Sequence, residues 1–113
     1  MVIRRIYIVW VHPLFCDTVR LLLTHSSIEI VGLSNDYDNA TQEISQHKPD
    51  TVIIEDTEES AVTRIKTSEI VNMFPEVARI IRLSLKDNEL WVYRHERQSI
   101  TNIEDFLRII RDS

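Results

Sequence analysis

Apolar residues along this chain fall into two alternating rhythms. Ile6 to Val11 is a short run of β-branched and aromatic residues, bounded by Arg5 and His12-Pro13. Apolar on both faces, it predicts a central parallel strand. Pro13 suits the first helical position, where its missing N–H costs nothing. The 3.6-residue spacing of Leu14, Thr18, Leu21 and Leu22 then predicts a helix ending at Ser26-Ser27. Ile28 to Leu33 forms a second strand pattern and holds Gly32, the single glycine. Asp36 or Asp38 is placed to cap a helix carrying Ala40, Ile44 and His47, which Lys48-Pro49-Asp50 breaks. Thr51 to Ile54 predicts a third strand. A helix over about 61–73 carries Val62, Ile65, Ile70 and Val71, and 78–85 predicts a fourth strand in which Arg82 marks a half-exposed face. A last helix begins near Ile103 with Phe106, Leu107, Ile109 and Ile110 on its apolar side, Thr101 and Glu104 forming a capping box.

This alternation predicts a doubly wound α/β domain, a mainly parallel sheet covered by helices on both faces. The rhythm changes after Leu85. Lys86-Asp87-Asn88 is a turn signal, and Leu90-Trp91-Val92-Tyr93 has high strand propensity. A parallel return needs a crossover of a dozen or more residues, and too few are present. The pattern favours an antiparallel hairpin of 80–85 with 89–97 over a short helix at 89–96 followed by a strand at 97–100.

Composition narrows the function classes. The 113 residues suit one domain, 1–113, with an ordinary content of apolar and charged residues. A net charge of -5 argues against a non-specific nucleic-acid binder, whose affinity comes from neutralising phosphates. Cys16 is the single cysteine, so no internal disulfide and no cysteine-based zinc site can form, which fits a reducing cytoplasm. The start lacks a signal-peptide pattern, and no apolar run approaches membrane-spanning length. His12, His25, His47 and His95 are scattered and suggest no metal cluster. Lys86, Arg94, His95 and Arg97 could form a basic ribbon, but Asp87, Glu89 and Glu96 interrupt it, leaving a solvated face as the simpler reading.

Several motifs, in order, resemble the receiver domain of bacterial response regulators, a CheY-like, flavodoxin-like three-layer sandwich. Ile6 to Val11 followed by His12-Pro13-Leu14-Phe15 is similar to the opening of receivers joined to helix-turn-helix output domains. Pro49-Asp50 with Thr51 to Ile54 is similar to the approach to their phosphoacceptor. Val31-Gly32, Leu83-Ser84 and Glu104-Asp105-Phe106-Leu107 match later landmarks. The resemblance spans the chain apart from residues 86–100, where the hairpin takes the place of the fourth helix.

Carried over residue by residue, the resemblance implies a degenerate phosphoacceptor pocket. Its two Mg²⁺-holding acids fall on Trp10 and Val11, neither of whose side chains offers the oxygen that magnesium requires. The acceptor aspartate falls on Glu55, or Asp56 if the register slips. The switch hydroxyl falls on Ser84, and the phosphoryl-pairing lysine on Ser99 or Gln98, leaving nothing cationic at that place. Phosphoryl transfer depends on positioning and on stabilisation by metal and cation, so the expectation is a pseudo-receiver with no catalytic residue, metal or cofactor. Glu55 is expected to be a solvated strand-end carboxylate rather than a phosphoaspartate mimic, Trp10 to fill the former acidic pocket beside Ser84, His12 to open a helix, and Cys16 to be a small core residue. The expected role is protein interaction, with self-association through 86–112 and Leu90, Trp91, Val92 and Tyr93 as its surface. Nucleic acid and membrane are not expected partners. The alternatives are an atypical phosphoaccepting receiver and a small-ligand-binding regulatory domain.

Overall fold

The computed structural model describes residues 3–57, 60–87, 89–93, 97–99, 107–108 and 110–111, with backbone alone at 60, 92–93 and 97–99. In chain order the elements are β1 (Arg4–Val9), α1 (Pro13–Leu22), β2 (Ile28–Ser34), α2 (Tyr37–His47), β3 (Thr51–Glu55), α3 (Ser60–Met73), β4 (Arg79–Ser84), β5 (Glu89–Tyr93) and β6 (Arg97–Ser99). Residues 107–108 and 110–111 are helical. The predicted capping box at Thr101 and Glu104, with Phe106 and Ile109, lies outside the described residues.

The strands form one sheet in the order β2-β1-β3-β4-β5-β6. The first four are parallel; β5 runs antiparallel to β4, and β6 antiparallel to β5. Side chains alternate across the sheet, so each central strand feeds two cores. On one face Ile6, Ile8, Ile53, Ile81, Leu83 and Leu90 pack with Phe15, Val19 and Leu23 from the α1 segment and with Ile110. On the other, Tyr7, Val9, Val52, Ile54 and Ile80 pack under Ala40 and Ile44 of α2 and Ile70 of α3. The result is the three-layer α/β sandwich that the alternating pattern predicts.

Local chemistry sets the boundaries. Asp36 caps α2 by accepting the Asp38 N–H at 3.0 Å. Lys48 closes α2 in a left-handed conformation, φ 48°, with its N–H returned to the Ile44 carbonyl, and Pro49 prevents continuation. Gly32 has a steric reason to be glycine: a Cβ there would stand 2.7 Å from the buried Tyr7 ring. The β1–β2 register shifts between Ile6 and Tyr7, beside this contact.

Four expectations change. Leu14 and Leu21 point outward, because α1 buries the neighbouring stripe of Phe15, Cys16 and Val19. On α3, Val62 and Ile65 are exposed while Thr63 and Thr67 are buried. Arg82 is buried, 2% exposed, rather than on a half-exposed face. The segment 89–97 is two strands, not one: β5 completes the hairpin with β4, pairing Leu83 with Leu90, and the chain then returns as β6.

Candidate functional site

The strand order reverses between β1 and β3, the place where doubly wound sheets open a crevice at their carboxyl ends. Here that end carries an open cleft of about 1010 Å³, lined by residues following β1, β3 and β4 and by side chains of α1 and α3. Trp10, Val11, Glu55 and Ser84, four of the five pocket positions inferred from sequence, line it together. Ser99 lies in β6 opposite Glu89, which itself pairs with Ser84, so its backbone stands in the same row two strands from Ser84; its side chain lies outside the described residues.

Glu55 is the organising residue. It ends β3, is 7% exposed, and reaches across to the β1–α1 loop. Its Oε1 accepts the backbone N–H groups of Val11 at 2.7 Å and His12 at 2.9 Å. Its Oε2 lies 2.5 Å from Nδ1 of His12, a hydrogen bond that becomes an ion pair when the ring is protonated. Glu55 is therefore not a solvated carboxylate. The extra methylene relative to aspartate lets it grip the loop leading into α1, where helix-start N–H groups need acceptors. His12 does more than open the helix, since its ring closes the same carboxylate.

Ser84 is similarly committed. Its hydroxyl donates to Oδ2 of Asp87 at 3.3 Å and accepts the Asp87 N–H at 3.2 Å, so it holds the turn between β4 and β5. Trp10 is half-buried against the α1-side core, and its indole Nε1 is buried without a hydrogen-bond acceptor. Val11 is exposed on the rim.

Asp56, the alternative acceptor position, also lines the cleft and is largely buried. Its Oδ2 lies 3.4 Å from Nε of Arg82. Burial raises its carboxyl above the ordinary carboxylate value, and the Arg82 guanidinium opposes that rise. Arg82 in turn stacks its guanidinium over Trp91, 5.1 Å from the ring centroid. A chain of contacts thus runs from the cleft through β4 into β5. Leu90 belongs to the core rather than to an interaction surface, and Trp91 is partly buried over Arg82. The side chains of Val92 and Tyr93 lie outside the described residues. Cys16 is buried in α1, where desolvation raises its thiol pKa.

Cations reach the cleft from places other than the one that Ser99 or Gln98 occupies. Lys66 of α3 and Lys86 of the β4–β5 turn both line the cleft. Lys66 sits over the Tyr37 ring, 5.5 Å from its centroid. Sequence alignment by motif could not find either, because both enter from elements other than the one that carries the receiver lysine. Among the described residues, no group of three or more His, Cys, Asp or Glu side chains is placed to hold a metal ion. No described helix is long and apolar enough to cross a membrane.

No family model and no curated protein matches the chain. Among solved structures, it is similar to the signal receiver domain of a response regulator, NarL, from Mycobacterium tuberculosis. That match has a TM-score of 0.60 and 23% sequence identity, and covers 74% of this chain and 68% of that one. The chain has the receiver-domain fold. At the carboxyl end of its strands, Glu55 is bonded to the β1–α1 loop and Ser84 to Asp87.

Proposed function

We propose that this chain is a signalling module that works through protein contact and independently of phosphorylation. The observation that carries this reading is the bonding of Glu55. Three donors from one loop occupy the carboxylate that stands at the acceptor position. Nucleophilic attack on a phosphoryl donor needs a carboxylate oxygen that is exposed and aligned, with a cation to neutralise developing charge. Glu55 is buried, and the side chains of Trp10 and Val11 supply no oxygen for magnesium at the end of β1. The Ser84 hydroxyl is held by Asp87. Asp56 is a poorer alternative, with its Oδ2 against buried Arg82. In this reading the receiver frame is kept in one state by internal bonds and presents a constant surface to a partner.

Incubation with acetyl phosphate and Mg²⁺, followed by intact-mass measurement, tests the proposal. No mass change is expected for the wild type. The gain of a phosphoryl group, abolished by Glu55→Gln or Asp56→Asn, would overturn it.

A second reading is favoured by the size of the cleft and by Lys66 and Lys86 on its wall: a regulatory domain for a small anionic ligand. Perturbation of the Trp10 indole and Lys66 resonances by a panel of small carboxylates would support it over the protein-contact reading.

A further inference from the structure

Among the described residues, the two most exposed large apolar side chains are Leu14, at 77%, and Leu21, at 76%. They stand one heptad apart on the outer face of α1. Asp17 and Arg20, both exposed, lie together along one flank of this leucine pair. On the same flank Asp17, Arg20, Leu21 and Thr24 form a shallow groove of about 380 Å³ with Ile30 of β2. The core does not need these leucines, since Phe15, Cys16 and Val19 fill the buried face of α1.

We propose that this face pairs with the same face of a second copy of the chain, with the two α1 helices antiparallel about a twofold axis. The face is complementary to itself in the spacing of its leucines and in charge. Reversing a helix about the midpoint between Leu14 and Leu21 places each leucine opposite the other's counterpart. A twofold axis perpendicular to the plane of two antiparallel helices brings like flanks together, so the Asp17–Arg20 flank of one copy meets that of the other. At about 1.5 Å rise per residue, Arg20 then lies about 3 Å along the axis from the partner's Asp17, within reach of a long guanidinium side chain. Two reciprocal ion pairs then lie along one flank between two leucine contacts, the isologous arrangement of a symmetric dimer. A parallel pairing, about a twofold axis running along the helices, would put the two Asp17–Arg20 flanks on opposite sides of the contact and leave these ion pairs unmade. This contact is separate from the β5 surface, where Leu90 is buried and Trp91 covers Arg82. Leu14 also stands on the rim of the cleft, so the contact adjoins it.

Sedimentation equilibrium of the full chain tests the proposal, using concentrations from about 10 µM to about 1 mM, where a contact of one helix face is populated. The wild type should dimerise. Asp17→Arg alone or Arg20→Asp alone should weaken association about tenfold, by setting like charges opposite one another. The double variant Asp17→Arg/Arg20→Asp should restore it to within about threefold, because the pairs re-form with reversed polarity. Leu21→Glu should be monomeric. All these positions are exposed, so circular dichroism should match the wild type. A wild type that stays monomeric throughout would overturn the proposal. So would a dimer indifferent to Leu21→Glu, a dimer lost on Trp91→Ala, or a double swap that fails to restore association.

Discussion

Replacing Glu55 by alanine removes the acceptor for two backbone N–H groups and for the His12 ring at once. A hydrogen bond to a charged group contributes about 1.5–3 kcal/mol when its donor is otherwise buried. Here the donors belong to residues open to water, Val11 at 54% and His12 at 68% exposed, so solvent replaces part of what is lost. The lower end of the range therefore applies, giving about 3 kcal/mol for the two backbone bonds. The His12 contact, on an exposed ring, adds about 0.5 kcal/mol or less. Glu55→Ala should thus cost about 3–3.5 kcal/mol. Glu55→Gln keeps the length and one acceptor oxygen, loses the charge, and should cost about 1–1.5 kcal/mol. Urea unfolding at neutral pH measures both, and amide hydrogen exchange at Val11 and His12 reports the bonds directly. If Glu55→Ala costs under about 1 kcal/mol with unchanged exchange at those two amides, the carboxylate does not organise the loop and the reasoning fails.

Other positions give separate tests. Gly32→Ala drives a methyl group toward the Tyr7 ring and should cost about 1–3 kcal/mol in thermal or chemical unfolding; a neutral result would mean that Tyr7 moves freely. Lys48→Gly relieves a left-handed backbone at the end of α2 and should raise stability by about 0.5–1 kcal/mol, measured by urea unfolding. Asp56 holds its proton to higher pH when folded than when unfolded, because burial raises its carboxyl above 3.8. Its contribution is therefore most favourable below the unfolded value and declines as pH rises through the folded one. Relative to Asp56→Asn, the wild type should gain stability as pH falls from neutral toward about 4, and a pH-independent difference would contradict this.

The parts of the fold set by runs of apolar residues were legible from sequence. Strands β1 and β3 carry apolar runs on both faces because both faces are covered, and the turn residues after β4 announce the hairpin. The strand-end positions Trp10, Val11, Glu55 and Ser84 were legible because motif order fixes them to the ends of successive strands. What was hidden depends on partners distant in sequence. Glu55 takes donors from Val11 and His12, 44 and 43 residues away. Arg82 tolerates burial because Asp56 and Trp91, on the flanking segments, supply a carboxylate and an aromatic face. The face of α1 was misjudged for another reason. A 3.6-residue period describes both the Leu14–Leu21 stripe and the Phe15–Val19 stripe, and only packing decides which turns inward. Lys66 and Lys86 reach the cleft from elements whose orientation the sequence does not encode locally.

The central proposal is that the Glu55 carboxylate is engaged by the β1–α1 loop and accepts no phosphoryl group. Its most direct test is a ¹H–¹⁵N NMR titration with beryllofluoride and Mg²⁺, a mimic of the phosphoryl group that seats on an available acceptor carboxylate. The account predicts no change at the amides of Val11, His12, Glu55, Asp56 and Ser84, and the same spectrum with Mg²⁺ alone. Saturable shifts at these amides, abolished by Glu55→Gln or Asp56→Asn, would contradict it and identify a working phosphoacceptor.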